Sequence, residues 1–495
     1  MSHGGRDRLV LVLLCSAQLC NVISLSSVNI ALPDIARDLG FSEPARAWIV
    51  SAYALAFGGS LLVAGRAADL FGRRRILVAG CSVFAAATLL DALATTPGML
   101  IAARTVQGVG AATMVPAALG LLTSHFVSPA ERSRAVAAFG AAGAVGFAAG
   151  LVLGGAVTEA VGWRWVFALT IPLVLAVIVG VLALVTPDSP GSRARGRIDV
   201  AGASIATVGL VALGFGLNRA ATAGFGAPES WMALGASVVL LGVLAAVEAR
   251  VRDPLIPLGV WGLPDLTATL AIAFCVYAAW LGMTFFVALT LQEALGYEPT
   301  EAAVALLPLA AGAHLGSTAA GRLLPRCGPR VLLVGGTALF ATGLAITATI
   351  DAGSSYWPRI LIAVLASSLG LSVTFVTCNV LALAHAPPED ESLVGGLFAT
   401  VAQGVAGGVG VAVAAAVAAL RTEAGAMGAA LVPGYQAAFW TATGLAVAGL
   451  LLAAGPFGPR RRHACPAGPC RHARPPGRCG RIPSQQRRGD RGSGR

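Results

Sequence analysis

Lysine is absent from this 495-residue chain, and all 34 basic residues are arginine. That absence removes the Gly-Lys-Ser/Thr ending of a nucleotide-binding P-loop and weighs against an ATP-driven machine. With 62 glycines and abundant alanine, the same bias points to a GC-rich bacterial genome. Charge of either sign is scarce. Charged residues make up 12% of the chain, against about 25% in ordinary soluble proteins, too few to clothe several soluble cores in polar surface. A disulfide framework is lacking too, because Cys15, Cys20, Cys81, Cys275 and Cys378 of the nine cysteines lie inside apolar runs, where a thiol is ordinarily a small buried hydrophobe. At 6% aromatic content, no cage for an organic cation is indicated.

What the chain has is apolar length. It is 56% hydrophobic, and runs able to cross a bilayer, about 20 residues each, follow one another from Leu9 to Ala454. Fourteen are predicted, the first near 9–32 and the last near 435–456. In hydrocarbon an open sheet edge leaves backbone groups unpaired, so every run is read as a helix and the fold class as an all-α polytopic membrane protein. Arg6 and Arg8 precede the first run and no small-residue cleavage site ends it early, which predicts an uncleaved first span.

Arginine placement sets the direction. With a cytoplasmic N-terminus, sixteen arginines fall on inner segments and six on outer ones, Arg37, Arg46, Arg164, Arg219, Arg359 and Arg421. Both termini are therefore expected inside. The net charge of +11 invites a nucleic-acid reading, but residues 456–495 hold eleven arginines and one acid, Asp490, so the body is close to neutral. That tail is too rich in Pro, Gly and Arg to fold, and contact with anionic lipid is its modest expected role. Cys465, Cys470, Cys479, His463 and His472 within it match no standard zinc-finger spacing, and no metal or cofactor is expected.

The densest charge in the body is "GRAADLFGRRRIL" at 65–77, on the turn between spans 2 and 3. Gly65 and Gly72 are expected to permit close backbone approach at a tight turn, and Asp69 to cap the next helix and pair with Arg73 or Arg74. "GRLLPRCGPRVLL" at 321–333 is a worn copy: Gly65 matches Gly321, Arg66 matches Arg322, Gly72 matches Gly328 and Arg74 matches Arg330, all at an offset of 256. Asp69 meets Pro325 there, so the acid belongs to one half. The same offset carries span 1 onto span 9, predicting a six-helix bundle over 1–190, two additional helices over 191–255, a second bundle over 256–455 and the tail from 456.

On these residues the chain resembles the major facilitator superfamily, and specifically its fourteen-helix drug:proton antiporter branch, over residues 9–455. "GRAADLFGRRR" is similar to the family's loop motif, and "RTVQGVGAA", with Arg104, Gln107, Gly108 and Gly110, to its fourth-helix motif. "GRIDVAGA" entering span 7 and "VNIALP" closing span 1 are family-like as well. The resemblance implies two bundles rocking about a midplane cavity, with Gly65, Asp69, Gly72, Arg73 and Arg74 latching the halves in the outward-facing state. Two departures stand out. The branch commonly carries an acid in span 1, where this chain has Ser24 in "ISLSSVNIALP"; and the fifth-helix "GPxxGG" pattern reads "GLVLGG", with Leu151 in the proline's place, which questions a kink there. Gly146, Gly150 and Gly154 keep the four-residue spacing that lets two helices approach closely.

Ionisable groups inside spans are functional candidates by default. Arg104 lies about two turns into span 4, with Gln107 nearly on its face. It is read either as a snorkelling arginine near the outer interface or, preferably, as a cavity arginine that couples to a proton carrier or binds an anionic substrate group. Asp91, near the outer end of span 3, is placed most simply in the outer headgroup region with Thr95 and Thr96. Buried, it would be a usable proton site standing in for the acid absent at Ser24. Gln18, Asn21, Ser24, Ser27 and Asn29 give span 1 a polar face that either lines a cavity or cements helix contacts. His314 in span 10, Asn379 in span 12 and Gln403 in span 13 are second-half cavity candidates, His314 being suited to proton exchange near neutrality. Span 13, "GGLFATVAQGVAGGVGVAVAAA", is read as a packing surface.

The expected function is secondary active export of hydrophobic or amphipathic small molecules, a drug or antibiotic, by proton antiport across a bacterial plasma membrane. Ser24 motivates an alternative, the same exporter without proton coupling. A polytopic enzyme or sensor is the reading of a different class. Its only dense polar group, "HAPPEDES" at 385–392, is more simply a solvated inner loop. The expected partners are a small-molecule substrate, protons and the lipid bilayer, with no nucleic acid and the chain a monomer.

Overall fold

The computed structural model describes residues 3–126, 128–186, 200–223, 227–248, 250, 263–385, 391–423 and 426–455. Among these, every regular element is helical. The first bundle comprises α1 (His3–Leu39), α2 (Ala47–Phe71), α3 (Arg73–Ala92), α4 (Pro97–His125), α5 (Pro129–Val161) and α6 (Trp163–Leu184, interrupted at Leu169). Then come α7 (Val200–Ala223) and α8 (Pro228–Glu248). The second bundle comprises α9 (Pro264–Leu289, continued by a π turn, Thr290–Ala294), α10 (Pro299–Cys327), α11 (Pro329–Thr347), α12 (Leu361–His385), α13 (Val394–Ala419, with a π turn at Thr400–Val405) and α14 (Val432–Ala454).

Local chemistry explains where these helices start and stop. Thr96 and Ser128 cap α4 and α5 by accepting the Met99 and Glu131 N–H groups at 3.2 and 3.3 Å, and proline follows each cap, where its missing donor costs nothing. Gly72 and Gly328 end α2 and α10 with φ of 101° and 77°, and each N–H returns to the carbonyl four residues back, Ala68 and Leu324. The two copies of the loop motif therefore end their helices in the same way, as the 256-residue offset predicts.

Twelve of the helices are long and apolar enough to cross a membrane. The other two, α2 and α7, carry shorter apolar stretches, Ala47–Leu61 and Ser204–Gly216. In α2 the charged motif starting at Gly65 occupies the remaining turns. α1 has 37 residues, about 55 Å at 1.5 Å each, and so outreaches the ~30 Å hydrocarbon layer. α5 is continuous: with Leu151 in place of proline, no ring breaks the hydrogen-bond ladder.

Contacts at the helix ends fix an up–down order. At the end where α1 begins (the near end), Arg6 donates to the Leu184 carbonyl of α6, His125 of α4 meets Asp7 at 2.9 Å, and Arg330 of α11 donates to the Ala454 carbonyl of α14. At the opposite (far) end, Asp38 of α1 accepts from Arg164 and Trp163 of α6, and Gln436 of α14 donates to Ile350 after α11. Within each bundle the heaviest packing joins α3 to α4, α1 to α5, α11 to α12 and α10 to α12, while α7 and α8 pack on each other. α7 also lies against α2 and α13.

The halves meet where side chains are smallest. A Cβ on Gly58 of α2 would collide with the Gly404 backbone of α13, and one on Gly155 of α5 would come within 2.7 Å of the Pro299 carbonyl of α10. Gly146, Gly150 and Gly154 all face α1, where added Cβ atoms would press on Leu19, Ser26 and Ser27. Their spacing thus serves helix packing, as does the glycine content of α13.

Candidate functional site

The fourth-helix motif builds a buried polar centre in the first bundle. Gly108 lets α4 close on the Tyr53 carbonyl of α2, and Gly110 lets it close on Phe84 of α3. Between those contacts the face one turn earlier carries Arg104 and Gln107, both wholly buried. Arg104 is not a snorkelling side chain. Its Nε donates to the Ile49 carbonyl at 3.0 Å, and its Nη1 to Gln107 Oε1 at 2.5 Å and Ser24 Oγ at 3.3 Å. The guanidinium carbon lies 4.5 Å from the Tyr53 ring centroid and 6.0 Å from that of Phe167, a cation–π contact in dry surroundings. Tyr53 in turn donates to Asn21 Oδ1 at 2.5 Å, and Gln107 Nε2 donates to Thr88 Oγ1 at 2.7 Å.

Asp91 overturns the simpler expectation for it. It is fully buried within the protein, because α3 turns Thr88 and Asp91, three residues apart, toward its neighbours in the bundle. Both of its carboxylate oxygens lack a hydrogen-bond partner, as does Arg104 Nη2. No ion pair joins the two side chains among the described residues. Leaving a buried carboxylate without hydrogen bonds costs on the order of several kcal/mol, so this arrangement is a poor device for stability. It fits a group that changes protonation state.

Ser24 stands at the position where the branch commonly has its acid, and it touches Arg104 directly. A carboxylate there would be the arginine's immediate counterion, whereas the buried acid of the first bundle among the described residues, Asp91, lies on α3. The rest of the polar face of α1 divides. Ser27 and Asn29 bond to carbonyls of their own helix. Asn21 and Ser24 tie α1 to α2 and α4, while half-buried Gln18 lies against Gly143 of α5 with its Oε1 unpaired. Asn379 is half-buried on α12. His314 is exposed on α10 and is not gathered with Arg104. The side chains of Gln403 and Asp69 lie outside the described residues, as do the tail and residues 386–390 of "HAPPEDES".

The loop motif divides likewise. Arg73 Nη1 donates to the Gly120 carbonyl at 2.8 Å and Arg74 Nη2 to the Leu182 carbonyl at 2.8 Å, so the pair sits on the negative ends of α4 and α6. Gly72 is at the turn, but Gly65 is not. It lies inside α2 with open space where a Cβ would go, because the helix runs six residues beyond it to Phe71. Gly72→Ala is therefore expected to cost about 1–2 kcal/mol for the forced positive φ. Gly65→Ala is expected to stabilise by about 0.5–1 kcal/mol. Thermal melts of the purified variants, read against the parent, check both signs.

Sequence reasoning did not single out Tyr53, Phe167 or Thr88. A tyrosine inside an apolar span is the available signal, since its hydroxyl needs a partner there. The choice of partner, Asn21, depends on how α1 meets α2.

Residues 14–411 match the Major Facilitator Superfamily, with a second match over 269–467 that opens within α9. The chain belongs to the Major Facilitator Superfamily. It is 37% identical over 452 residues to a puromycin resistance protein of Streptomyces alboniger, covering 90% of this chain and 89% of that one. It is also 34% identical to a cephamycin export protein of Amycolatopsis lactamdurans, covering 79% and 81%. A solved bacterial homologue of the human lysosomal transporter Spinster shares the fold, with a TM-score of 0.63 at 17% identity over 91% of this chain and 96% of that one. Within this superfamily member the buried centre is confined to one half: at the repeat offset Asp91 meets Thr347 and Arg104 meets Ile360. Both counterparts are buried and uncharged.

Proposed function

We propose that this protein is a secondary active exporter of hydrophobic or amphipathic small molecules of the antibiotic kind, exchanging them for protons by alternating access. The observation that carries the reading is the unpaired Asp91 carboxylate beside the buried Arg104 in a major facilitator chain. Relatives named for puromycin resistance and cephamycin export support the substrate class. The bundles 1–190 and 256–455 would swing about a shared cavity, with helices of 191–255 appended and Gln18, Asn21, Ser24, Asn379 and Gln403 contributing to its wall. Arg6, Arg73, Arg74 and Arg330 all lie at the near end, which supports a cytoplasmic near end in a bacterial plasma membrane.

Proton occupancy would act through charge balance. With Asp91 ionised, the Arg104 cation has a compensating neighbour. With Asp91 neutral, the cation is left alone in a low-dielectric core, and α3 and α4 gain a reason to shift against α1 and α2. Ser24 keeps the uncoupled exporter in contention, and one measurement separates the two. Drug efflux from loaded cells is expected to fall to the passive leak when a proton ionophore is added; undiminished efflux would leave an exporter without antiport.

A further inference from the structure

We propose that Arg46, Glu293 and Tyr435 form a far-end latch that sets how often the two halves part on that side. Arg46 Nη1 meets Glu293 Oε1 at 2.5 Å across 247 residues of sequence, joining the start of α2 in one half to the end of α9 in the other. The second carboxylate oxygen is also engaged: Tyr435 of α14 donates to Glu293 Oε2 at 2.6 Å. Both ion-pair partners are held by irregular turns. Arg46 closes the 3₁₀ turn Glu43–Arg46, and Glu293 sits in the π turn Thr290–Ala294, where five residues widen the helix and swing the acid off the α-helical face. Phe286 packs against Tyr435 with the rings tilted and their centroids 5.5 Å apart, which buttresses the phenol.

Place and exposure suit a gate better than a structural brace. Arg46 and Glu293 are 17% and 16% exposed and line a far-end cavity of about 1500 Å³ that also has walls from Asp34, Arg164, Tyr297 and Met427. Water can therefore replace the pair when it breaks. Two other inter-half contacts, Gly155 against the Pro299 backbone and Gly408 against the Leu55 side chain, are close packing at glycine with no side-chain donor, so they permit sliding and parting but do not fix a closed position. A directional charged tie on top of a smooth apolar seam defines a closed state that can be left.

The inference rests on the alternating-access reading, but its test uses neither drug nor gradient, so it stands or fails separately from export. Full-length protein in lipid nanodiscs is followed by hydrogen–deuterium exchange over peptides from the start of α10 and the far-end turns of α5. R46Q and E293Q are each expected to speed exchange there about three- to fivefold, the shift that one partly exposed ion pair gives a two-state equilibrium. The charge swap R46E/E293R should return it toward the parent rate, and Y435F should give a smaller rise. Peptides across the α3–α4 contact should not change in any variant. Parent-like exchange in both single variants, or failure of the swap to restore it, overturns the latch. So does a rise that includes the α3–α4 peptides, which would make the pair a folding contact.

Discussion

Asp91→Asn is expected to reduce proton-driven drug efflux to the uncoupled leak, about tenfold or more below the parent, with little loss of folded protein. The amide keeps the carboxylate's shape but cannot exchange a proton. Folding should tolerate it because neither oxygen of Asp91 has a hydrogen bond to lose. Proteoliposomes with an imposed pH gradient give the measurement, and drug binding without a gradient gives the control. A sharper form follows from Ser24, whose hydroxyl is 3.3 Å from the arginine. Adding Ser24→Asp to Asp91→Asn puts an acid directly against Arg104 and is expected to restore gradient-driven efflux. If Asp91→Asn alone transports at the parent rate, the carboxylate has no part in coupling.

Arg104→Lys should be nearly as damaging despite keeping the charge. An ammonium has no planar fork to hold the Ile49 carbonyl, Gln107 and Ser24 together while lying over Tyr53. Charge-assisted hydrogen bonds contribute about 1.5–3 kcal/mol each to stability, so losing two of the three is expected to loosen the buried centre and to lower gradient-driven efflux severely. Arg104→Met tests the other side of the balance: it removes the cation and strands Asp91 without a compensating charge. Export should be lost in both, and both are expected to melt below the parent, the lysine variant through the lost hydrogen bonds and the methionine variant through the stranded carboxylate. Parent-like efflux in the lysine variant would reduce Arg104 to a generic positive charge.

Much of the architecture was legible in the sequence because bilayer insertion is written in length and polarity. Apolar runs bounded by Pro, Gly and Arg became helices, most within a few residues of their expected limits, although α1 and α10 run about seven residues longer at their C-terminal ends, and the 256-residue repeat reappeared as matching glycine-terminated turns at Gly72 and Gly328. Gly146, Gly150 and Gly154 were legible as a packing stripe for the same reason, since helical spacing alone puts them on one face. Gly65 was misplaced because sequence does not say how far α2 runs before it turns, and the burial of Asp91 was not legible because a residue near a span's end is buried or wet according to its neighbours.

The chain's own order of residues determined that this is a helical membrane protein, where its spans lie, that it is built twice over, and that Arg104 and Gln107 share a face. Those properties follow from backbone periodicity and the hydrophobic cost of polar groups in lipid, which act along the chain. The tertiary structure alone decided that Asp91 is buried without a hydrogen-bond partner, that the Tyr53 ring lies against Arg104, and that Arg46 finds Glu293. Such meetings depend on the rotation and approach of helices far apart in sequence, which here are set by where glycine permits contact.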